Sequence, residues 1–297
     1  MLGFCLLAPL GDSIAKILGD SIPLGMLLAS RFALQVLFLA PVIVLARKPL
    51  TMTRRVFNLT LIRTVLHIIG IGAMFLSLRY LPLADAIAIA FVMPFIMLLL
   101  GKTVLNEQVG KHRLLACAVG FFGTLLVIQP NFADVGAPAL LPLVVAVDFA
   151  FFMLITRQIA KHVDPVSLQF ISGIAASLFL IPLVVVTPAT WEPLTIFWPE
   201  TFDMTLMVIM GLIGTSAHLL MTWSLRYAPS TTLAPMQYLE IPFATAIGWL
   251  IFNDLPNGLA AIGISITIGA GLYVIWRERL NAQAVPSQRT PAPRVAE

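Results

Sequence analysis

Long apolar stretches recur from one end of the chain to the other, parted by short polar segments. A helix of about 20 apolar residues spans the hydrocarbon core of a bilayer, and the pattern predicts ten of them, at about 2–20, 23–46, 57–78, 83–101, 112–129, 139–157, 166–187, 205–224, 231–252 and 257–276. Runs such as Ile87-Ala88-Ile89-Ala90-Phe91-Val92 are apolar at every position, whereas a membrane barrel strand alternates every second residue. The fold class expected is all-α and polytopic.

Composition strengthens the reading. Of 297 residues 59% are hydrophobic and 11% charged, against about 25% charged in an ordinary soluble domain, so lipid is the solvent. The net charge of +4 sits mostly in short loops between apolar runs, which excludes nucleic acid as the implied partner. Cys5 and Cys117 lie inside apolar runs and fit neither a disulfide framework nor a zinc site. The first run opens at Leu2 with no positive region before it and holds Asp12 and Lys16, so it reads as a retained helix rather than a cleaved signal.

Cytoplasmic loops collect Lys and Arg. Arg47, Lys48, Arg54, Arg55, Lys102, Lys111, Arg113, Arg157, Lys161, Arg226, Arg277 and Arg279 fall on one side of the ten spans; the other side has Arg79 and a long loop with Glu192, Glu200 and Asp203. Both termini are therefore expected in the cytoplasm. Trp191, Trp198, Trp223, Trp249 and Trp276 fall near span ends, as interface belts require. The segment 282–297, rich in Pro, Ala and Gln, reads as a disordered cytoplasmic tail.

The chain also repeats itself. Arg79-Tyr80-Leu81-Pro82 returns 147 positions later as Arg226-Tyr227-Ala228-Pro229, Leu105-Asn106-Glu107 returns at the same offset as Phe252-Asn253-Asp254, and Pro94 lies within one position of the register that reaches Pro242. Two repeats, 1–130 and 138–277, each hold five helices, and an odd number makes the second enter the membrane the opposite way. Inverted repeats are the plan of many secondary transporters, which bind substrate near the midplane and rock about helices broken by Pro or Gly. Pro94 and Pro242 are such a pair and are expected to be hinges; the alternative is that membrane helices simply tolerate proline.

With Arg31 early in the second helix, "SLRYLPLADA" leading into "VMPF", "LNEQVGKHRL" into "VGFFGTLLVIQP", and "SLRYAPSTTLAPMQYLEIPFATAIGWLIFND" in the second half, nearly the whole chain resembles the EamA-type branch of the drug/metabolite transporter superfamily. Members of that branch export amino acids, exchange S-adenosylmethionine or take up riboflavin. "FLSLRYLPLADAIAIAFVMPF" is most similar to the bacterial riboflavin-uptake members. The resemblance implies a multi-pass inner-membrane transporter working by alternating access, with riboflavin as its small-molecule substrate; export or exchange of amino acids or S-adenosylmethionine-like metabolites is the alternative. Many members have a basic or polar leader before the first helix; its lack here implies a slightly shortened chain or a misassigned start.

Ionisable groups near the middle of a bilayer cost roughly 2.5–3.5 kcal/mol and mark function by default. Asp148 and Glu240 each lie about nine residues into their helices, which at 1.5 Å per residue is near the midplane. Glu240 precedes Ile241-Pro242, where a missing backbone donor frees a carbonyl. Arg31 lies too deep to reach water. Gln237 and Tyr238, just before Glu240, and Gln35 can hydrogen-bond a polar heterocycle, and Tyr238, Phe91 or Trp223 can offer it a flat face. Arg31, Asp148, Gln237, Tyr238 and Glu240 are the expected substrate-binding set. Asp12 and Lys16 stand four apart, the spacing of a structural ion pair, and Arg63 is close enough to the helix end to snorkel. His67 and His218 either relay protons or pack. Gly120 and Gly123, Gly211 and Gly214, and Gly269 and Gly271 permit close helix packing.

Other classes fit less well. Gly101-Lys102-Thr103 ends what a phosphate loop would need, but position 96 is Ile, and Gly is required there. No metal motif is present, no cofactor is called for, and no nucleophile stands beside a base. A channel or an intramembrane enzyme using Asp148 and Glu240 remains as the alternative to a transporter.

Overall fold

The computed structural model describes residues 1–104, 110–187, 192–229 and 233–284. They form eleven α-helices: α1 (Leu2–Leu18), α2 (Leu24–Leu45), α3 (Arg54–Leu78), α4 (Leu83–Ala90), α5 (Met93–Val104), α6 (Lys111–Val135), α7 (Leu141–Ile159), α8 (Pro165–Val186), α9 (Thr201–Tyr227), α10 (Glu240–Phe252) and α11 (Gly258–Ala284). Seven helical stretches are long and apolar enough to cross a membrane, among them α4 and α5 taken as one, Leu83–Val104. Of the other expected spans, α1 has 17 residues and α10 has 13. Trp191 and the motif 105–107 lie outside the described residues, as does 285–297; residues 282–284 of the expected tail instead continue α11.

Local chemistry sets the helix ends. Thr53 caps α3 by accepting from the Val56 amide at 3.4 Å. Asp164 caps α8 by accepting from Val166 at 3.0 Å and Ser167 at 3.4 Å, with Pro165 in the first turn where its missing N–H costs nothing. Asn253 closes α10 in the left-handed region at φ 55°. Asp164 Oδ2 also accepts from Lys48 Nζ at 2.8 Å, tying the α2–α3 loop to α8. Burial raises the Asp164 carboxyl, but Lys48 and the two amides outweigh it and hold it below its ordinary 3.8. The carboxylate's contribution is thus complete above that value and lost as pH falls through the lowered one. Asp164→Ala is expected to cost about 1 kcal/mol at pH 7 and less at pH 3, as thermal unfolding of the detergent-solubilised protein would show.

Both prolines singled out in the sequence lie beside breaks in the helices. Proline at position 94 cannot donate to the Ala90 carbonyl, and the stretch Leu83–Val104 turns at Phe91–Val92 between α4 and α5. Proline at position 242 likewise leaves the Tyr238 carbonyl without its helical donor, and a 3₁₀ turn, Ala234–Leu239, precedes α10.

The helices pair as α1 with α9, α3 with α7, α2 with α8, α4 with α10 and α6 with α11. Exchanging α1 for α7, α2 for α8, α3 for α9 and α6 for α11 leaves the pairs among these eight helices unchanged. Thr267 Oγ1 of α11 donates to the Gly120 carbonyl of α6 at 3.4 Å, and these two residues are themselves 147 apart. Gly123 and Gly263 bring α6 and α11 together: a Cβ at either would strike the other's carbonyl oxygen. Gly263→Val is expected to cost about 1–3 kcal/mol by overpacking this seam, read as a lowered unfolding temperature in detergent.

Polarity runs inside out. Gln35, Arg63, Thr156, Gln169 and Ser172 are fully buried, while Leu45, Leu178, Val186 and Leu250 are exposed. Apolar exposure on this scale would drive a water-soluble protein to aggregate; in lipid it costs nothing. Trp198, Trp223, Trp249 and Trp276 are likewise exposed.

Candidate substrate cavity

Between the helices lies a cavity whose open space, its mouth included, is about 910 Å³. Its wall is drawn from α1, α2, α3, α4, α7 and α9, with Met93 at the start of α5 and Glu240 at the start of α10. The ionisable side chains on it are Asp12, Arg31, His67, Asp148, His218 and Glu240. Phe4, Phe75, Phe91 and Phe149 supply flat apolar faces, Phe4 and Phe149 stacked with centroids 6.1 Å apart.

Small residues place the charges. α3 and α7 run antiparallel, and Gly70 meets Asp148: a Cβ at Gly70 would overlap the Asp148 carboxylate. Gly214 of α9 similarly makes room for the Arg31 guanidinium. Arg31 Nη1 donates to Gln35 Oε1 at 3.2 Å, and Gln35 Nε2 donates to the Gln169 carbonyl at 2.6 Å. The side chain is thereby aimed and held, yet its Nη2 has no hydrogen-bond partner, and neither has Asp148 Oδ2. Both residues are over nine-tenths buried. Unmade hydrogen bonds on buried charged groups are costly, and facing a cavity they are groups ready for a ligand.

Of the five residues expected to bind substrate, the structure brings Arg31, Asp148 and Glu240 to the cavity wall. Gln237 and Tyr238 are buried in the 3₁₀ turn behind it. Gln237 Nε2 reaches Met153 Sδ at 3.2 Å, and the Tyr238 ring packs on Phe91 at 5.4 Å and under Gly120 and Gly271. Gly211 takes Leu34 of α2 against its backbone, while a Cβ at Gly269 would meet nothing. Phe91 lines the cavity; Trp223 is exposed on the outer face. Pro94 is buried, whereas Pro242 is exposed.

Two expectations fail. Asp12 and Lys16 do not pair: Lys16 Nζ donates to the Leu81 carbonyl at 2.8 Å and lies 3.5 Å from Asp254. A carbonyl and a carboxylate at the loop ends draw Lys16 away, and Asp12 turns into the cavity, whose wall it shares with Arg31 and Glu240. Arg63 does not snorkel; it is fully buried and donates to Thr156, Ser172 and Gln169. Neutral acceptors on α7 and α8 solvate it inside the bundle.

Sequence reasoning left His67 and His218 unjoined, yet their Nε2 atoms lie 3.3 Å apart. The signal was available: their separation is the repeat spacing plus one helical turn, in α3 and α9, which exchange for one another in the helix pairing.

The profile of the EamA-like transporter family matches residues 1–129 and again 137–277. The chain belongs to the EamA-like transporter family. As an EamA-like protein it is a multi-pass membrane transporter of a small molecule and not an enzyme. An S-adenosylmethionine uptake transporter of Rickettsia prowazekii (strain Madrid E) is 24% identical over 91% of this chain and 89% of its own. A riboflavin transporter of Rhizobium johnstonii is 28% identical over 73% of this chain and 70% of its own, and the pseudopaline exporter CntI of Pseudomonas aeruginosa is 23% identical over 71% and 72%. A solved crystal structure superposes with a TM-score of 0.70 at 17% identity, covering 94% of this chain and 96% of the other, which shows a shared fold.

Proposed function

We propose that this EamA-like protein is a secondary transporter of ten spans in two inverted halves, 1–130 and 138–277. In this reading α4 with α5 is the fourth span and the 3₁₀ turn with α10 the ninth, both termini are cytoplasmic, and the membrane is the bacterial inner membrane. The self-exchanging helix pairs support the inversion, and the loop cations support the orientation. Substrate enters the cavity from one face, the halves rock about Pro94 and Pro242, and it leaves from the other.

The substrate this wall fits best is a zwitterion that carries an extra positive charge and a flat ring, as S-adenosylmethionine does. The observation that carries this reading is the pairing of a free guanidinium nitrogen on Arg31 with a free carboxylate oxygen on Asp148 inside one cavity. A substrate carboxylate takes Arg31 Nη2. An ammonium and a sulfonium take Asp148, Asp12 and Glu240, and the ring lies against Phe149 or Phe91. Gln237, whose Oε1 has no partner, and Tyr238 join the site when the 3₁₀ turn moves with Glu240.

Riboflavin uptake is the second reading, favoured by the riboflavin transporter of Rhizobium johnstonii and by the aromatic faces of the cavity. The test is uptake of labelled S-adenosylmethionine and of labelled riboflavin into cells unable to make the latter, against empty vector and an Asp148→Asn, Glu240→Gln double variant. Saturable S-adenosylmethionine uptake lost in the variant is expected. Saturable uptake of riboflavin alone would replace the first reading by the second, and uptake retained by the variant would remove the carboxylates from the site.

A further inference from the structure

Beyond the cavity, and outside its wall, lies a buried polar cluster centred on Arg63. Its Nε donates to Thr156 Oγ1 at 2.8 Å, Nη1 to Ser172 Oγ at 3.0 Å and Nη2 to Gln169 Oε1 at 3.3 Å. The guanidinium lies 4.3 Å from the Phe152 ring centroid. Arg63 is on α3, Thr156 on α7, Gln169 and Ser172 on α8, so one side chain joins the first half to two helices of the second. The cluster sits one helical turn below His67 on α3 and two below Asp148 on α7, towards the end where α3 begins and α7 finishes. It is also continuous with the cavity: Gln169 accepts from Gln35, which holds Arg31.

All three of its acceptors are neutral. A carboxylate partner would fasten the seam firmly, because parting a buried ion pair strands two bare charges. Hydroxyl and amide oxygens hold a guanidinium more weakly, and water entering the seam can replace them one for one. That is the chemistry of a closure meant to open and shut.

We propose that Arg63 is the latch of the gate at this end of the bundle. It closes the cavity on that side by pinning α3 to α7 and α8, and releases when the halves rock. The proposal rests on the alternating-access reading above and adds to it the residue that seals one face.

The experiment reads thiol access and needs no substrate. In a protein with Cys5 and Cys117 changed to serine, Ala90→Cys places a reporter on the cavity wall. A charged, membrane-impermeant methanethiosulfonate is applied to right-side-out cells and to inside-out vesicles. The parent is expected to react at least about tenfold more slowly from the latch side. Thr156→Val is expected to raise that rate about tenfold and Thr156→Val with Ser172→Ala further, each lost bond to the charged group shifting the closed state by about that factor. Equal rates from both faces in the parent, or no acceleration in the well-inserted variants, would overturn the latch. Should the double variant fail to insert, the parent's two rates and the single Ser172→Ala variant still decide. A protein that moves neither candidate substrate but shows this asymmetry keeps the latch and loses only the substrate reading.

Discussion

Arg31→Met is expected to lower uptake of a carboxylate-bearing substrate at low concentration by about 100-fold, with little change in the amount of folded protein. Losing one partner of a buried, hydrogen-bonded charge pair costs roughly 2–5 kcal/mol, and 1.4 kcal/mol is tenfold. The loss falls on binding, so KM rises before the maximal rate does. Folding is spared because methionine fills similar space and the hydrogen bond lost within the protein is that from Arg31 Nη1 to Gln35, which keeps its own bond to the Gln169 carbonyl. Arg31→Lys retains the charge and loses the fork, and it should fall between the two. Concentration series separate the readings: a raised S-adenosylmethionine KM is the expected pattern, whereas riboflavin, an uncharged ring system with a polyol chain, has no carboxylate to lose, so a protein carrying riboflavin alone would keep its KM in Arg31→Met. Full uptake of S-adenosylmethionine by Arg31→Met would sink the assignment of its carboxylate to this residue.

Gly70→Ala should be nearly as damaging, although it adds one methyl group. The new Cβ would occupy the place of Asp148 Oδ2, so either α3 moves off α7 or the carboxylate swings away. Overpacking of this kind costs about 1–3 kcal/mol, and an uptake loss of at least about tenfold is expected from the displaced charge. A double-mutant cycle identifies the cause. In an Asp148→Ala background the colliding group is gone, and adding Gly70→Ala should change neither stability nor residual uptake further. Additive losses in the double variant would mean that Gly70 acts elsewhere.

Much of the architecture is written in single stretches of sequence. Apolar runs of about 20 residues define spans because a bilayer offers backbone groups no partner outside the helix. Pro94 and Pro242 locate the broken spans because a missing N–H is a local fact. Asp148, Glu240 and Arg31 stand out because depth follows from counting residues at a fixed rise. The repeat motifs at a spacing of 147 point to two halves, and the family profile matches the chain twice, at 1–129 and 137–277.

What the tertiary structure alone decided is which side chains meet. A helix fixes a residue's place along its axis, but its azimuth towards a neighbour depends on how the helices pack. Asp12 and Lys16 share a helix face, yet Lys16 leaves for Leu81 and Asp254 on loops that sequence places far away. Arg63 looked free to reach water until α7 and α8 supplied it with three acceptors. Gln237 and Tyr238 adjoin Glu240 in sequence, but the 3₁₀ turn sends them behind the wall that Glu240 lines. The sequence by itself determined the solvent, the all-helical class and the breaks beside the two prolines, because these follow from local composition and helix geometry; the cavity, its unpaired Arg31 and Asp148 atoms and the Arg63 seam arise only where helices distant in sequence are packed together.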